Sequence, residues 1–165
     1  MKFVSIIIGS KSDYEVMKSC SDMFEAFGVQ YEMIISSAHR SPERTKEYIA
    51  KAEKKGAQVF IAAAGMAAHL AGVLSSKTVK PIIGVPMSAS ALGGIDALLS
   101  TVQMPAGMPV ATVAIGKAGA INSAYLAMQI LALENEELAI KLKEDRISKA
   151  KKVEMDSMEI ETILS

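Results

Sequence analysis

The chain has 165 residues, half of them hydrophobic but only 5% aromatic, and its 18 Lys plus Arg are matched by 18 Asp plus Glu. That length suits one domain with a real core, and a balanced charge supplies no field to gather nucleic acid or an anionic membrane. The single cysteine excludes an internal disulfide and fits a reducing compartment.

In chain order, FVSIII at residues 3–8 reads as a first strand. Its apolar run meets Gly-Ser-Lys at once, too short for a secretory signal and without a cleavage pattern. A helix is expected near 13–27, where Cys20 falls among Val16, Met17, Phe24 and Phe27 at helical spacing. That pattern marks the thiol as a small buried hydrophobe rather than a nucleophile. YEMII (31–35) is a second strand, followed by a helix near 42–55. QVFIA (58–62) is a third, with a helix starting after about Ala67. PIIGVP (81–86) is a fourth, leading to a helix over Gly94–Gln103, and PVATVAI (109–115) is a fifth. A long helical tract begins near Ala118. The longest apolar run, VFIAAAGMAAHLAGVL, holds two glycines and a histidine and falls short of the about 20 residues that a bilayer helix requires. A cytoplasmic protein that contacts neither membrane nor nucleic acid is expected.

Strand–helix alternation means right-handed βαβ units and a parallel sheet. The expected fold is α/β, a three-layer flavodoxin-like doubly wound arrangement with a five-stranded parallel sheet and a C-terminal helical tail. One domain is expected over 1–165, with a core to about 133 and a charged tail from 134 onward. The tail reads as a solvated helix or as an arm on a neighbouring subunit. Just before it, AGAINSAYLAMQILAL is apolar nearly all round, which points to burial against another chain and so to a homo-oligomer.

Ligands of open parallel sheets bind beyond the carboxyl ends of the strands, so the strand exits carry the functional reading. After the first strand, GSKSDYE offers a tight turn at Gly9, hydroxyl donors at Ser10 and Ser12, and a Ser12–Glu15 capping-box spacing. A helix N-terminus there suits a phosphate, while Asp13 suits a sugar hydroxyl. A plain helix cap explains the same residues. After the second strand, Ser41-Pro42-Glu43 starts a helix with Ser41 as cap. Ser37, His39 and Arg40 are thereby left on the rim loop, where an arginine can hold phosphate or carboxylate and a histidine can carry a proton. After the third strand Gly65 breaks the run, and His69 falls near a helix start, either as a backbone-bonded cap or as a chemical group. SASALGG (88–94) makes room, and the QMPAGMPV segment could wall the site.

What is missing narrows the chemistry. Two histidines, one cysteine and no clustered carboxylates argue against a metal site. No dinucleotide fingerprint, ATP-gripping loop or Gly-x-Ser-x-Gly elbow occurs. The remaining picture is a phosphate-and-sugar pocket with one acid–base histidine and no cofactor.

GSKSD, SAHR, AAHLAG, IGVP and QMPAGMPVATVAIGKAGAINSA, in that order over about 3–133, closely resemble the PurE family of purine biosynthesis. The resemblance implies conversion of N5-carboxyaminoimidazole ribonucleotide to 4-carboxy-5-aminoimidazole ribonucleotide without metal or other cofactor, in homo-octamers with sites between subunits. It implies His39 as the acid–base group, and Ser10, Asp13 and Arg40 as substrate ligands, with Ser12, Ser37 and His69 beside them. A second branch of the family carboxylates aminoimidazole ribonucleotide directly. It carries Lys in the SAHR position and lacks the AAHL histidine, so Arg40 and His69 favour the mutase. The family loop usually reads Gly-Gly-Ala-Ala-His-Leu-Pro-Gly, whereas here Met66 replaces a glycine and Ala71 the proline. A third reading, a non-catalytic flavodoxin-like phosphate-binding domain, predicts that His39 is dispensable.

Overall fold

The computed structural model describes residues 2–163. Its elements are β1 (Phe3–Ile8), a 3-10 turn (Lys11–Asp13), α1 (Tyr14–Phe27), β2 (Tyr31–Ile35), α2 (Pro42–Lys55), β3 (Ala57–Gly65), α3 (Leu70–Ser75), β4 (Ile82–Met87), α4 (Ile95–Val102), β5 (Ala111–Thr112), α5 (Lys117–Ala132) and α6 (Glu136–Ile160). The strands form one parallel sheet in the order β2-β1-β3-β4-β5, the doubly wound flavodoxin-like order expected. No helix among the described residues is long and apolar enough to cross a membrane.

Side-chain alternation along the strands builds two cores. Val4, Ile6 and Ile8 of β1 and Val59, Ile61 and Ala63 of β3 face Met17, Cys20 and Phe24 of α1 and Ala120, Ala124 and Met128 of α5. Phe3, Ile7, Phe60 and Ala62 point the other way, onto Ile49 and Ala52 of α2 and Leu70 and Leu74 of α3. Burying apolar side chains on both faces is what the near-continuous apolar strands anticipate. Cys20 is sealed in the first core, and burial pushes its thiol up to about 12, which keeps it protonated and inert. Gly84 in β4 lets α4 approach, because a Cβ there would lie 2.4 Å from Thr101 Cγ2. Left-handed Gly28 and Gly56 close α1 and α2.

Three details differ from the sequence reading. β5 spans two residues, not seven; Val113 N and Gly116 N still donate to the Gly84 and Pro86 carbonyls, but Pro86 has no N–H to return, so regular pairing lapses. The Ser12–Glu15 capping box does not form. The 3-10 turn absorbs Ser12, whose N–H and hydroxyl both donate to Ser10 Oγ, at 3.3 and 2.9 Å. β3 runs through Gly65, and the residue that turns the chain is Met66, at φ 55. The apolar α5 is covered only in part inside the chain, and Leu133 at its end is 85% exposed. One side packs on α1, and another meets α6, whose Leu138 is buried and whose Asp145 Oδ2 accepts from Tyr125 OH at 2.9 Å. An exposed apolar stripe lies on α4 and its approach: Leu92, Ile95, Leu99 and Val102, at helical spacing.

The tail is a helix. Asn135 caps α6, its Oδ1 accepting from Leu138 N at 3.1 Å. Beyond Lys149, which stacks its ammonium over the Tyr125 ring, nearly every residue of α6 is exposed.

Candidate active site

Parallel strands end on one edge, so the exits of β1, β2 and β3, adjacent in the sheet, bring three loops together there. They enclose a cavity of about 470 Å³ lined by Ser10, Ser12, Asp13, Ser37, His39, Arg40 and His69, with Gly65, Met66 and Ala89 completing the wall. All seven residues singled out from the sequence therefore share one cavity.

The β2 loop is held by hydroxyls. Ser36 Oγ and Thr45 Oγ1, both buried, lie 2.8 Å apart, and Thr45 Oγ1 donates to the Ser41 carbonyl at 3.2 Å. Ser41 occupies the cap position of α2 as expected, but its hydroxyl turns back to Ser37, accepting from the Ser37 N–H at 3.0 Å and donating to the Ser37 carbonyl at 3.1 Å. The Arg40 N–H in turn donates to Ser37 Oγ at 3.1 Å. Ser37 thus braces the turn through its own hydroxyl while lining the cavity.

This bracing delivers His39 to His69. The two rings meet edge to face at an interplanar angle of 81°, with His39 Nε2 2.8 Å from His69 Nδ1. Thirty residues separate them in sequence, and the sequence reading placed each at its own strand exit without foreseeing the contact. In such a bond one nitrogen donates and the other accepts, so each ring fixes the other's orientation and tautomer. His69 stands at the N-cap position of α3 without capping it through its side chain.

The β1 exit carries Asp13, only 4% exposed. Burial pushes its carboxyl above the ordinary value, partly offset by the Ser10 backbone and the Ser12 hydroxyl. Neither Asp13 nor Arg40 forms an ion pair with another described residue. A buried carboxylate and an exposed guanidinium left without countercharges suit a ligand that brings both hydroxyls and negative charge.

Of the loops expected to wall the site, the one after β4 contributes Ala89, and the 103–110 segment does not reach the cavity. Met104 packs instead beside Gly72 of α3, and Asp96 holds the β4 loop by accepting from Ser90 Oγ at 2.8 Å. Met66 is the wall residue whose backbone conformation periodicity could not reveal. Among the described residues, no group of three or more His, Cys, Asp or Glu could hold a metal ion.

The family described as AIR carboxylase matches residues 3–152. An N5-carboxyaminoimidazole ribonucleotide mutase of Pyrococcus horikoshii is 51% identical over 158 residues, covering 96% of this chain and 88% of that protein. The mutase of the same name from Bacillus subtilis is 52% identical over 143 residues, covering 87% and 88%. That from Escherichia coli is 48% identical over 143 residues, covering 87% and 85%. Among solved structures, the crystal structure of Treponema denticola PurE superposes with a TM-score of 0.88 at 26% identity, covering 98% of this chain and all of that one.

Proposed function

The chain belongs to the AIR carboxylase family, and from that premise we propose that His39 carries the protons of its reaction. The activity is that of its relatives, an N5-carboxyaminoimidazole ribonucleotide mutase, an isomerase of purine biosynthesis. What supports His39 in this role is its 2.8 Å contact with His69 inside a cavity that also holds Ser10, Asp13 and Arg40.

In this reading the carbamate C–N bond breaks, its electron pair returns to nitrogen, and the nitrogen takes a proton from His39. The freed CO2 stays in the cavity, ring C4 attacks it, and the hydrogen on C4 passes back to His39. Protons therefore balance over the cycle, and the sequence of steps calls on neither metal nor cofactor. Holding CO2 against the ring is a proximity effect, where effective molarities reach about 10⁵ M or more. His69 keeps the His39 ring in place through Nε2, while His39 Nδ1, which bonds to no described residue, is left for the substrate. Asp13 accepts ribose hydroxyls, Arg40 meets the phosphate or carboxylate, and Ser10, Ser12 and Ser37 line the polar wall.

The deciding experiment supplies the carbamate substrate labelled with carbon-13 in its carboxyl group. Label arriving on C4 at an enzyme-dependent rate without ATP or added bicarbonate is expected. Product forming only from aminoimidazole ribonucleotide and added CO2 would instead mean direct carboxylation. Turnover surviving a chelator checks the absence of a metal.

The reading also treats the chain as one domain of a cytoplasmic homo-oligomer, with an octamer as the assembly expected from the resemblance. The exposed Leu92, Ile95, Leu99 and Val102 stripe supports a second copy as partner. Light scattering at micromolar concentration is expected to give a multimer, and a monomer overturns this part.

A further inference from the structure

The sheet's hold on the β2 exit ends just before the reactive turn. Ser36 N–H donates to the Ile8 carbonyl at 3.0 Å, and beyond it the turn is held by bonds of its own, all ending on Ser37 or Ser41. The Ser37 N–H donates to Ser41 Oγ at 3.0 Å. The Ser37 carbonyl accepts from Ser41 Oγ at 3.1 Å and from the Ser41 N–H at 2.9 Å. One side chain therefore grips both backbone groups of Ser37, and the ring so closed encloses Ala38, His39 and Arg40.

A clasp is useful only if its own base is fixed. The Ser41 carbonyl accepts from the Thr45 N–H at 3.1 Å and from Thr45 Oγ1 at 3.2 Å, and Thr45 is fully buried. Ser41 is thus anchored to α2 by its carbonyl and to the loop by its hydroxyl. A serine at a helix start ordinarily turns its hydroxyl onto the second or third N–H of the helix. Ser41 stands at that position and makes no such bond, so α2 goes without a side-chain cap while the hydroxyl serves the loop. Ser41 does not line the cavity, and whatever it contributes to the chemistry passes through the residues that it encloses. We propose that Ser41 is a positioning residue: by closing on Ser37, its hydroxyl sets the direction in which His39 leaves the turn, and with it the 2.8 Å contact between His39 and His69. This rests on the reading of His39 as the proton carrier.

The test compares three variants by turnover, melting temperature and imidazole tautomer. Displacing a reacting group by about 1 Å can cost about 10²-fold in rate, so Ser41→Ala is expected to lower kcat about ten- to a hundredfold. Its melting temperature should stay close to the wild type, because no helix cap is lost. Ser41→Thr keeps the hydroxyl and should recover most of kcat. Tyr48→Phe, on the same helix, leaves the buried Ser5 hydroxyl without the partner it has at 3.0 Å. It should lower the melting temperature and leave kcat unchanged. With only two histidines in the chain, nitrogen-15 labelling of histidine reads His39 and His69 directly. In mildly alkaline buffer the wild-type spectrum should show each ring in one tautomer, as their mutual hydrogen bond requires. In Ser41→Ala the shifts should move towards those of free imidazole. Wild-type kcat and spectrum in Ser41→Ala overturn the proposal. So does a fall in kcat that Tyr48→Phe matches at an equal loss of melting temperature, since Ser41 would then act through stability alone. A wild-type chain that does not turn over the carbamate overturns the mutase reading instead, while the spectra, which need no substrate, still decide whether the clasp orients His39.

Discussion

The two ends of the sheet each hold a cavity, and the larger one lies opposite the proposed site. At the amino ends of the strands a cavity of about 710 Å³ opens between the start of β1, the turns before β2 and β4, and the α5–α6 junction. Two ion pairs join four of its six charged residues, Lys2 with Glu134 at 2.6 Å and Lys141 with Glu137 at 2.8 Å, leaving Lys80 and Glu136. At the carboxyl ends the smaller cavity contains Asp13 and Arg40 without ion-pair partners and two imidazoles in contact. What sets the smaller cavity apart is a buried carboxylate and two imidazoles in contact, placed by the doubly wound topology where three exits converge.

That contrast can be attacked from its strongest point downward. His39→Asn should cut turnover by about 10²- to 10⁴-fold, the usual range for losing a general acid–base group. Circular dichroism and light scattering should remain unchanged, and a fully active His39→Asn protein would return the site to a mere binding pocket. Arg40→Ala should weaken substrate binding by about ten- to a hundredfold, the scale of a lost charge-assisted hydrogen bond. Arg40→Lys should recover part of that in KM, since the charge returns but the planar fork does not.

Asp13 sharpens the comparison through pH. Its folded carboxyl titrates above the ordinary value of 3.8 because burial disfavours the charge. The wild-type group therefore contributes stability below the ordinary value, and that contribution is lost as pH rises through the raised one. Asp13→Asn does not titrate. Its Tm should equal or trail the wild type in acid and exceed it near neutrality, while its KM rises. A Tm difference independent of pH would mean that Asp13 is not desolvated as described.

The smallest effect is expected at the opposite end. Lys2 holds the Glu134 carboxyl below its ordinary value, yet the partners are 62% and 75% exposed. Pairs in that setting contribute little to stability. Lys2→Ala should leave turnover unchanged and Tm nearly so. A marked loss of activity would give the larger cavity a function after all.

Most of this arrangement could be read before any coordinates. α2 was started at Ser41-Pro42 and placed near 42–55, and it forms over Pro42–Lys55. The seven polar residues were found by asking which side chains follow each strand, a question topology alone answers. What escaped depends on neighbours that pattern does not encode. β5 was drawn too long because the proline that ends its pairing sits on the adjacent strand. The part of the cover of α5 that comes from α6 escaped because α6 reads as charged and solvated. The His39–His69 contact needs two loops in register. The turn at Met66 defies the rule that glycine takes left-handed positions, so no propensity could announce it.

The sealing of Cys20 has a practical use. With its thiol at about 12 and no exposed surface, the one native cysteine will stay silent towards maleimides and disulfide reagents near neutral pH. A cysteine introduced on the α4 stripe or on the outer half of α6 would then be the sole reactive thiol. Fluorophores or spin labels could be attached there in the wild-type background, and the proposed assembly probed without first deleting anything.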